Sequence, residues 1–415
     1  MLEFYGYERP DGSVGIRNHL LVLTPMDCSY EPAKSIAAQV EGAVAVTQHH
    51  GCGYDDMLVN VLVGTGRNPN VAGVLLVGLG CESLTSEILA EGITSTGKPV
   101  ESLIIQEEGG TLKTMEKGVR ILRKMAQEVS TLRREAFPLS ELTLAIECGG
   151  SDATSGLAAN PAVGVAADML VDEGGTVIFG ETQEMMGTQN VLARRAVSEE
   201  VVDAIHDMVG RQEARMKAMG IDSRFMSKGN VDGGLTTIEE KSLGAIYKGG
   251  TRPIQGVLRN DRDALDHPSR PGLWLQDGTG WDVPSVTHML AAGAQVVVFT
   301  TGRGSTTGHA IAPVLKVTGN PDTYAWMEDN MDVNAGVILD GSGSLRSVGE
   351  MIFREVVEIA SGKQSKAEAL GYKDFLVNMT SLMGEQLLDA CSSSGVSPEA
   401  GSEKARGNRR VIYYF

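Results

Sequence analysis

Leu142-Thr143-Leu144-Ala145-Ile146-Glu147-Cys148-Gly149-Gly150-Ser151-Asp152 is an apolar run that ends abruptly in acid, thiol, glycine and a helix-capping residue. A continuous apolar run, unlike an alternating one, suits a parallel strand covered on both faces. The glycines after it permit a tight turn, and Ser or Asp can start the next helix. The same grammar recurs along the chain. Candidate strands are His19 to Leu23, Ala43 to Thr47, Val71 to Val77, Val100 to Ile105, Thr176 to Phe179, Leu273 to Leu275 and Gln295 to Thr300. Helical patterns lie between them at Tyr30 to Val40, Gly109 to Arg134 and Ser198 to Met219. Strands alternating with helices predict an α/β protein with mainly parallel sheets and right-handed crossovers.

The length, 415 residues, suits more than one domain. A charged helical segment ends near Phe137-Pro138, where a new strand begins. The reading is an N-terminal α/β domain over 1–137, a C-terminal α/β catalytic domain over 138–390, and a flexible tail over 391–415, rich in Ser, Gly and charge. A net charge of −17 argues against nucleic acid as partner. No apolar run is long enough for a membrane helix, and the first residues lack a signal-peptide pattern, so a cytoplasmic location is expected. The cysteines Cys28, Cys52, Cys81, Cys148 and Cys391 are odd in number, which disfavours a disulfide framework and leaves reduced thiols.

The polar residues that follow the apolar runs are the candidate chemistry. They are Gln48-His49-His50-Gly51-Cys52-Gly53, Gly78-Leu79-Gly80-Cys81-Glu82, Glu147 to Asp152, Gly180-Glu181-Thr182-Gln183-Glu184, and Thr300-Thr301-Gly302-Arg303-Gly304-Ser305. Ligands of open α/β sheets bind outside the carboxyl ends of the strands, so a site at strand C-terminal ends is expected. Imidazole and thiolate at His49, His50, Cys52, Cys81 and Cys148 suit a divalent metal, or an iron–sulfur cluster as a lesser alternative. Each cysteine could equally be a small buried hydrophobe. The carboxylates Glu82, Asp152, Glu181 and Glu184 suit proton transfer, with helix capping as the plain alternative for Asp152. Arg303 in a glycine-rich turn suits a substrate carboxylate. Lys241 either reaches the substrate or belongs to a solvated helix face, and Lys248 follows it. His309 is either a substrate contact or a surface residue. No Walker A motif and no G-x-G-x-x-G after the first strand support nucleotide binding.

Taken in order, these segments resemble the altronate/galactarate dehydratase family in its large-subunit form. The matching stretches are Phe4 to Tyr7 with Asp11 to Asn18, His50 to Gly53, Gly78 to Glu82, Cys148 to Asp152 with Ser155 to Pro161, Glu181 to Glu184, Gly229-Asn230 with Gly233 to Thr237, Phe299 to Ser305, Asn320, Met331-Asp332 and Asn334. The resemblance implies a hydro-lyase that dehydrates a sugar acid to a 2-keto-3-deoxy acid, with Fe(II) or Mn(II) as cofactor. It also implies site residues: His49, His50, Glu82, Asp152, Glu181 and Lys241 in catalysis; Arg303, Ser305, Lys241 and Asn160 on the substrate; and His50, Cys52, Cys81 and Cys148 at the metal. Relatives can carry an extra N-terminal domain of about 90 residues; here either it is a separate small subunit and so an expected partner, beside a small hydroxy-acid substrate and self-association, or this member does without it. The split arrangement also occurs in sulfolactate sulfo-lyase, which makes its large subunit one alternative. A non-catalytic sugar-acid-binding subunit is another.

Overall fold

The structure is a computed structural model, and it describes residues 2–50, 52, 56–222, 226–260 and 264–377. The candidate tail, with Cys391, lies outside the described residues. The first elements form a small antiparallel ribbon. Strand β1 (Glu3–Glu8) pairs with β2 (Val14–Gly15) on one side. Its other neighbour comes from far along the chain, as shown below.

A four-stranded parallel sheet follows, built from β3 (His19–Thr24), β4 (Ala43–Thr47), β5 (Val71–Gly78) and β6 (Val100–Ile104) in the order β4-β3-β5-β6. Alternate residues enter opposite cores. Leu21 and Leu23 pack on one face, Leu20 and Val22 on the other. The helix Thr111–Val129 covers the second face through Leu122 and Met125. Strand β7 (Glu135–Pro138) then returns to β1 and completes the ribbon.

The larger sheet contains β8 (Thr143–Cys148), β9 (Thr176–Phe179), β10 (Ile254–Leu258), β11 (Gly272–Gln276), β12 (Val296–Thr301), β13 (Val314–Thr318) and β14 (Val333–Asn334). Their order is β10-β11-β9-β8-β12-β13-β14, and every pair is parallel. Leu144 and Ile146 face one core while Ala145 faces the other. That two-sided burial is why β8 carries no polar alternation. The α/β reading is therefore correct, and the strands read from sequence are present. In the larger sheet β10, β13 and β14 are additions. In β13, Lys316 interrupts the apolar pattern, yet it is buried and its ammonium donates to the Thr307 carbonyl at 2.6 Å. No helix among the described residues is long and apolar enough to cross a membrane.

The ribbon ties the two sheets together. Phe4 of β1 belongs to the core of the larger sheet. Arg17 binds Glu368 through two bonds of 2.7 and 2.8 Å and also donates to the Ile359 carbonyl. One helix contact bears directly on the site. Helix Asn160–Asp172 meets the turn Tyr247–Gly249 at Gly164, where an added Cβ would lie 2.1 Å from the Tyr247 carbonyl oxygen. Backbone cannot yield as a side-chain end does. Gly164→Ala should cost about 1–3 kcal/mol, read as a lower urea midpoint at constant slope.

Candidate active site at the switch point of the larger sheet

The chain leaves β8 towards β9 on one side and later returns to β12 on the other. The crevice between such strands is the place where open sheets bind ligands. The two loops that line it are joined: Gly149 N–H donates to the Thr300 carbonyl at 3.0 Å, and Arg303 N–H to the Gly150 carbonyl at 2.9 Å. Gly302 must be glycine here, since a Cβ would stand 2.0 Å from an Asp152 oxygen.

Behind the crevice lies a buried acid–lysine cluster. Lys248 is fully buried and pairs with both Glu181 and Glu184, the latter at 2.6 Å. Lys241 meets the other Glu184 oxygen at 3.1 Å. Cys148 N–H donates to Glu181 at 2.9 Å, and the Cys148 thiol lies 3.0 Å from the Ser151 hydroxyl. Ser285 donates to Glu147 at 2.6 Å. One oxygen each of Glu147 and Glu181 has no partner among the described residues. Backbone geometry marks the same place. Glu181 is the one non-glycine residue with positive φ among those described, at 69°, and a π-turn spans Ser155–Ala159. Such features persist where the surroundings hold them, and they gather at functional sites.

The electrostatics separate the members of this cluster. Burial, then the Glu184 charge, pushes Glu181 up to about 7. Burial and the neighbouring Glu181 keep Glu147 well above the carboxylate range. Burial opposes ionisation of Glu184 too, but Lys248 and Lys241 outweigh it and hold Glu184 low. Burial and Glu184 raise Asp282 to about 6 and the Cys148 thiol to about 11. Burial alone would discharge Lys248, yet Glu181 and Glu184 keep it a firm cation. Only Lys241 and Asp282 are partly exposed; the rest of the cluster is sealed. Asp282 opens the helix Asp282–Ala291 and lies against Gly149, where a Cβ would be 2.3 Å from its carboxylate. Carboxyls poised near neutrality beside fixed cations are suited to proton transfer.

The residues expected from sequence divide into three groups. Cys148, Glu181 and Lys241 belong to this cluster. Asp152, Asn160, Arg303 and Ser305 line or support the crevice. Asp152 is the helix cap of the plain reading: it accepts from Thr154 and Ser155 N–H at 2.9 and 3.1 Å and from Asn320 at 3.1 Å. Asn160 has its amide engaged by Thr300 and by the Gly244 carbonyl, which ties it to the walls of the crevice. Ser305 closes a local turn with Thr307, and Arg303 is exposed. His49, His50, Cys52, Cys81 and Glu82 stand at the ends of β4 and β5. His49 pairs with Asp27 at 2.9 Å, and His50 contacts the Val377 carbonyl at 2.6 Å. Glu82 accepts from the N–H groups of Leu79, Gly80 and Cys81, which makes it a loop anchor. His309 is not the surface residue of the second alternative: it is buried against Phe375, and burial lowers it to about 3.

The residues expected at a metal fall at the strand ends of two different sheets. His50, Cys52, Cys81 and Cys148 do not form one group, because the first three end strands of the smaller sheet and Cys148 ends one of the larger. Among the described residues no three His, Cys, Asp or Glu side chains are placed to hold a metal ion. In the acid cluster, two ammonium groups pair with the two oxygens of Glu184, while one oxygen each of Glu147 and Glu181 is left without a partner among the described residues. Sequence reasoning left Glu147, Lys248 and Asp282 without a role. Lys248 could have been found from its place after the apolar Ala245-Ile246, where a solvated lysine is out of pattern.

Fold and site together define an α/β protein with an acid–base centre at a strand-end crevice. The comparisons make this specific. Residues 139–382 match the family model described as D-galactarate/altronate dehydratase, C-terminal, and residues 6–130 match D-galactarate dehydratase/altronate hydrolase, second domain. The chain belongs to the galactarate/altronate dehydratase family, a family of lyases. It is 38% identical to the (2R)-sulfolactate sulfo-lyase subunit beta of Chromohalobacter salexigens, over 90% of this chain and 96% of that one. It is 31% identical to the altronate dehydratase of Bacillus subtilis, over 90% of this chain and 77% of the relative. It is 34% identical to the galactarate dehydratase (L-threo-forming) of Escherichia coli, over 87% and 73%.

Proposed function

We propose that this lyase removes water from a sugar acid of the altronate or galactarate type and leaves a 2-keto-3-deoxy acid. The observation that carries the reading is the pair at the crevice mouth, a carboxylate raised to about 6 beside a lysine held charged by a buried acid. The substrate carboxylate meets Arg303, whose guanidinium can bind it through two bonds. Asp282 takes the proton from the carbon next to that carboxylate. The electron pair enters an enediolate, whose charge Lys241 meets, with Lys248 behind it. The C–O bond to the 3-hydroxyl then breaks. The proton gained by Asp282 leaves with it as water, and the enol becomes the keto acid.

A second reading is elimination of sulfite from sulfolactate, favoured by the match to a sulfo-lyase subunit over nearly its whole length. That relative's name also supports a partner subunit for this chain. Both readings are tested in one turnover screen. The purified protein, alone and with a candidate small subunit, with and without added iron(II) or manganese(II), is given altronate, galactarate, other aldonates and sulfolactate. Keto acid without sulfite from a sugar acid is the expected result, and its dependence on added metal tests the cofactor directly. Sulfite from sulfolactate alone would replace the first reading with the second. No product from any of them, in folded protein with its partner, would overturn both.

A further inference from the structure

Trp326 ends the short helix Pro321–Trp326 and is 90% exposed, more than any other large apolar side chain among the described residues. A ring of that size in water gains by being covered. It stands in an acidic stretch. Asp322, Glu328 and Asp329 are exposed on either side of it along the chain, and their carboxylates form no ion pair among the described residues. Lys366 is engaged on the inner side, where its ammonium donates to the Met331 carbonyl at 2.7 Å and lies 5.8 Å from the Tyr324 ring. What faces outward is aromatic and negative.

This face borders the crevice. Thr323 donates to the Gly302 carbonyl at 2.7 Å, and a Cβ on Gly304 would lie 2.2 Å from the Met327 sulfur. The far end of the same loop holds the last described stretch of chain: Gly308 N–H donates to Asp374 at 2.8 Å, and a Cβ on Gly308 would lie 2.7 Å from that of Tyr372. The described chain ends soon after, at Val377. The sequence beyond it holds the complement of the exposed face. Lys404-Ala405-Arg406-Gly407-Asn408-Arg409-Arg410-Val411-Ile412-Tyr413-Tyr414-Phe415 carries four cations and no acid, and it closes in apolar and aromatic residues, within a chain whose net charge is −17. The residues between Val377 and Lys404 can span tens of ångströms at about 3.3–3.6 Å each, so reach does not limit the contact.

We propose that the face around Trp326 is the docking surface for this basic, aromatic stretch of the same chain. Tyr413, Tyr414 and Phe415 supply rings to cover the indole, and the arginines can pair with Glu328 and Asp329 or stack on the ring face. Tethering makes the contact intramolecular, so modest individual interactions suffice. Docked there, the stretch sets further cations beside the exposed Arg303 at the crevice mouth. The assignment stands apart from the choice of substrate. Lys404, Arg406, Arg409 and Arg410 are all sites for trypsin, so docking reads out as protection. The full chain and its variant Trp326→Ala/Glu328→Lys/Asp329→Lys, changed only at exposed positions, are digested briefly in low salt, and cleavage after those four residues is timed by mass spectrometry. The wild type should be cut about tenfold more slowly than the variant, because cleavage follows the undocked population. That protection should not depend on protein concentration, and it should weaken as salt is raised. A second variant, Arg406→Glu/Arg409→Glu/Arg410→Glu, is read by acrylamide quenching of tryptophan fluorescence. It should raise quenching when Trp326 is present and leave it unchanged in Trp326→Ala. Equal cleavage rates in wild type and surface variant, or quenching that ignores the arginines, would overturn the assignment. Protection that grows with protein concentration would overturn it in favour of a second copy of the chain.

Discussion

Lys248→Met is expected to destabilise the protein by about 3–5 kcal/mol, enough to remove much of the folded population, because it strands buried carboxylates without their cation. Lys248 is wholly buried and is shared between Glu181 and Glu184. Lys241 keeps its contact with Glu184 in the variant, but nothing comparable remains for Glu181. The dependence on pH identifies the cause. Glu184 is held below its ordinary value of 4.5, so its ionised form stabilises the fold above that value. That contribution fades as pH falls through the folded value. Glu181 is raised to about 7, so its effect has the opposite sign: stability is lost as pH rises from the ordinary value towards 7. Without Lys248 that loss should deepen. Urea midpoints of variant and wild type should therefore lie furthest apart at neutral pH and converge in acid. A gap that is constant with pH would assign the damage to lost packing.

Asp282→Asn should lower kcat by about 10²–10⁴-fold with little change in folding, since the amide keeps the shape and loses the base. Asp282 is raised to about 6 chiefly by burial. Its ionised form is the active one, so kcat/KM of the wild type should rise with pH through about 6 and level off above it. The rising limb should vanish in the variant. The same shift makes Asp282 a burden on the native state as pH rises from 3.8 to about 6. The asparagine variant should thus unfold at the same or a higher temperature at neutral pH. An asparagine enzyme with full activity would remove Asp282 from the mechanism and move attention to Lys241.

The sheets were legible because apolar runs are long and continuous where both faces are covered, as in β5 and β12, which are buried at every position. Strand β1 was hidden because it is short, with charged ends, a central glycine and no continuous apolar run, and β13 by a lysine that a carbonyl satisfies. The site was legible where chemistry directly ends a strand. Glu181 and Cys148 lie at such ends. Asp282 begins a helix after a five-residue loop, Asp277 to Trp281, so the same rule passes over it. The cysteine and histidine signal does not by itself define one site, for a related reason. Strand ends look alike in sequence, and only the fold tells which sheet each end belongs to. Lys248 was visible as a lysine but not as a buried one, because its neighbours in the cluster come from positions more than sixty residues away.

The ribbon around β1 also says something about how the chain is made. Residues near the start hold on to residues near 360: Tyr5 N–H donates to the Ser361 hydroxyl, and Arg17 to Glu368. A ribosome releases the amino end first, at about 5–20 residues per second. Some 350 positions separate the two halves of this clasp, so the opening segment must wait on the order of tens of seconds before its partners exist. Until β7 emerges β1 offers an open edge, and Phe4 reaches its full core only as the larger sheet is made. Nascent chains should be most vulnerable to proteases and most in need of chaperones at that stage. The smaller sheet, complete soon after residue 104, can form early, but it is fastened to the rest only when the last helices emerge.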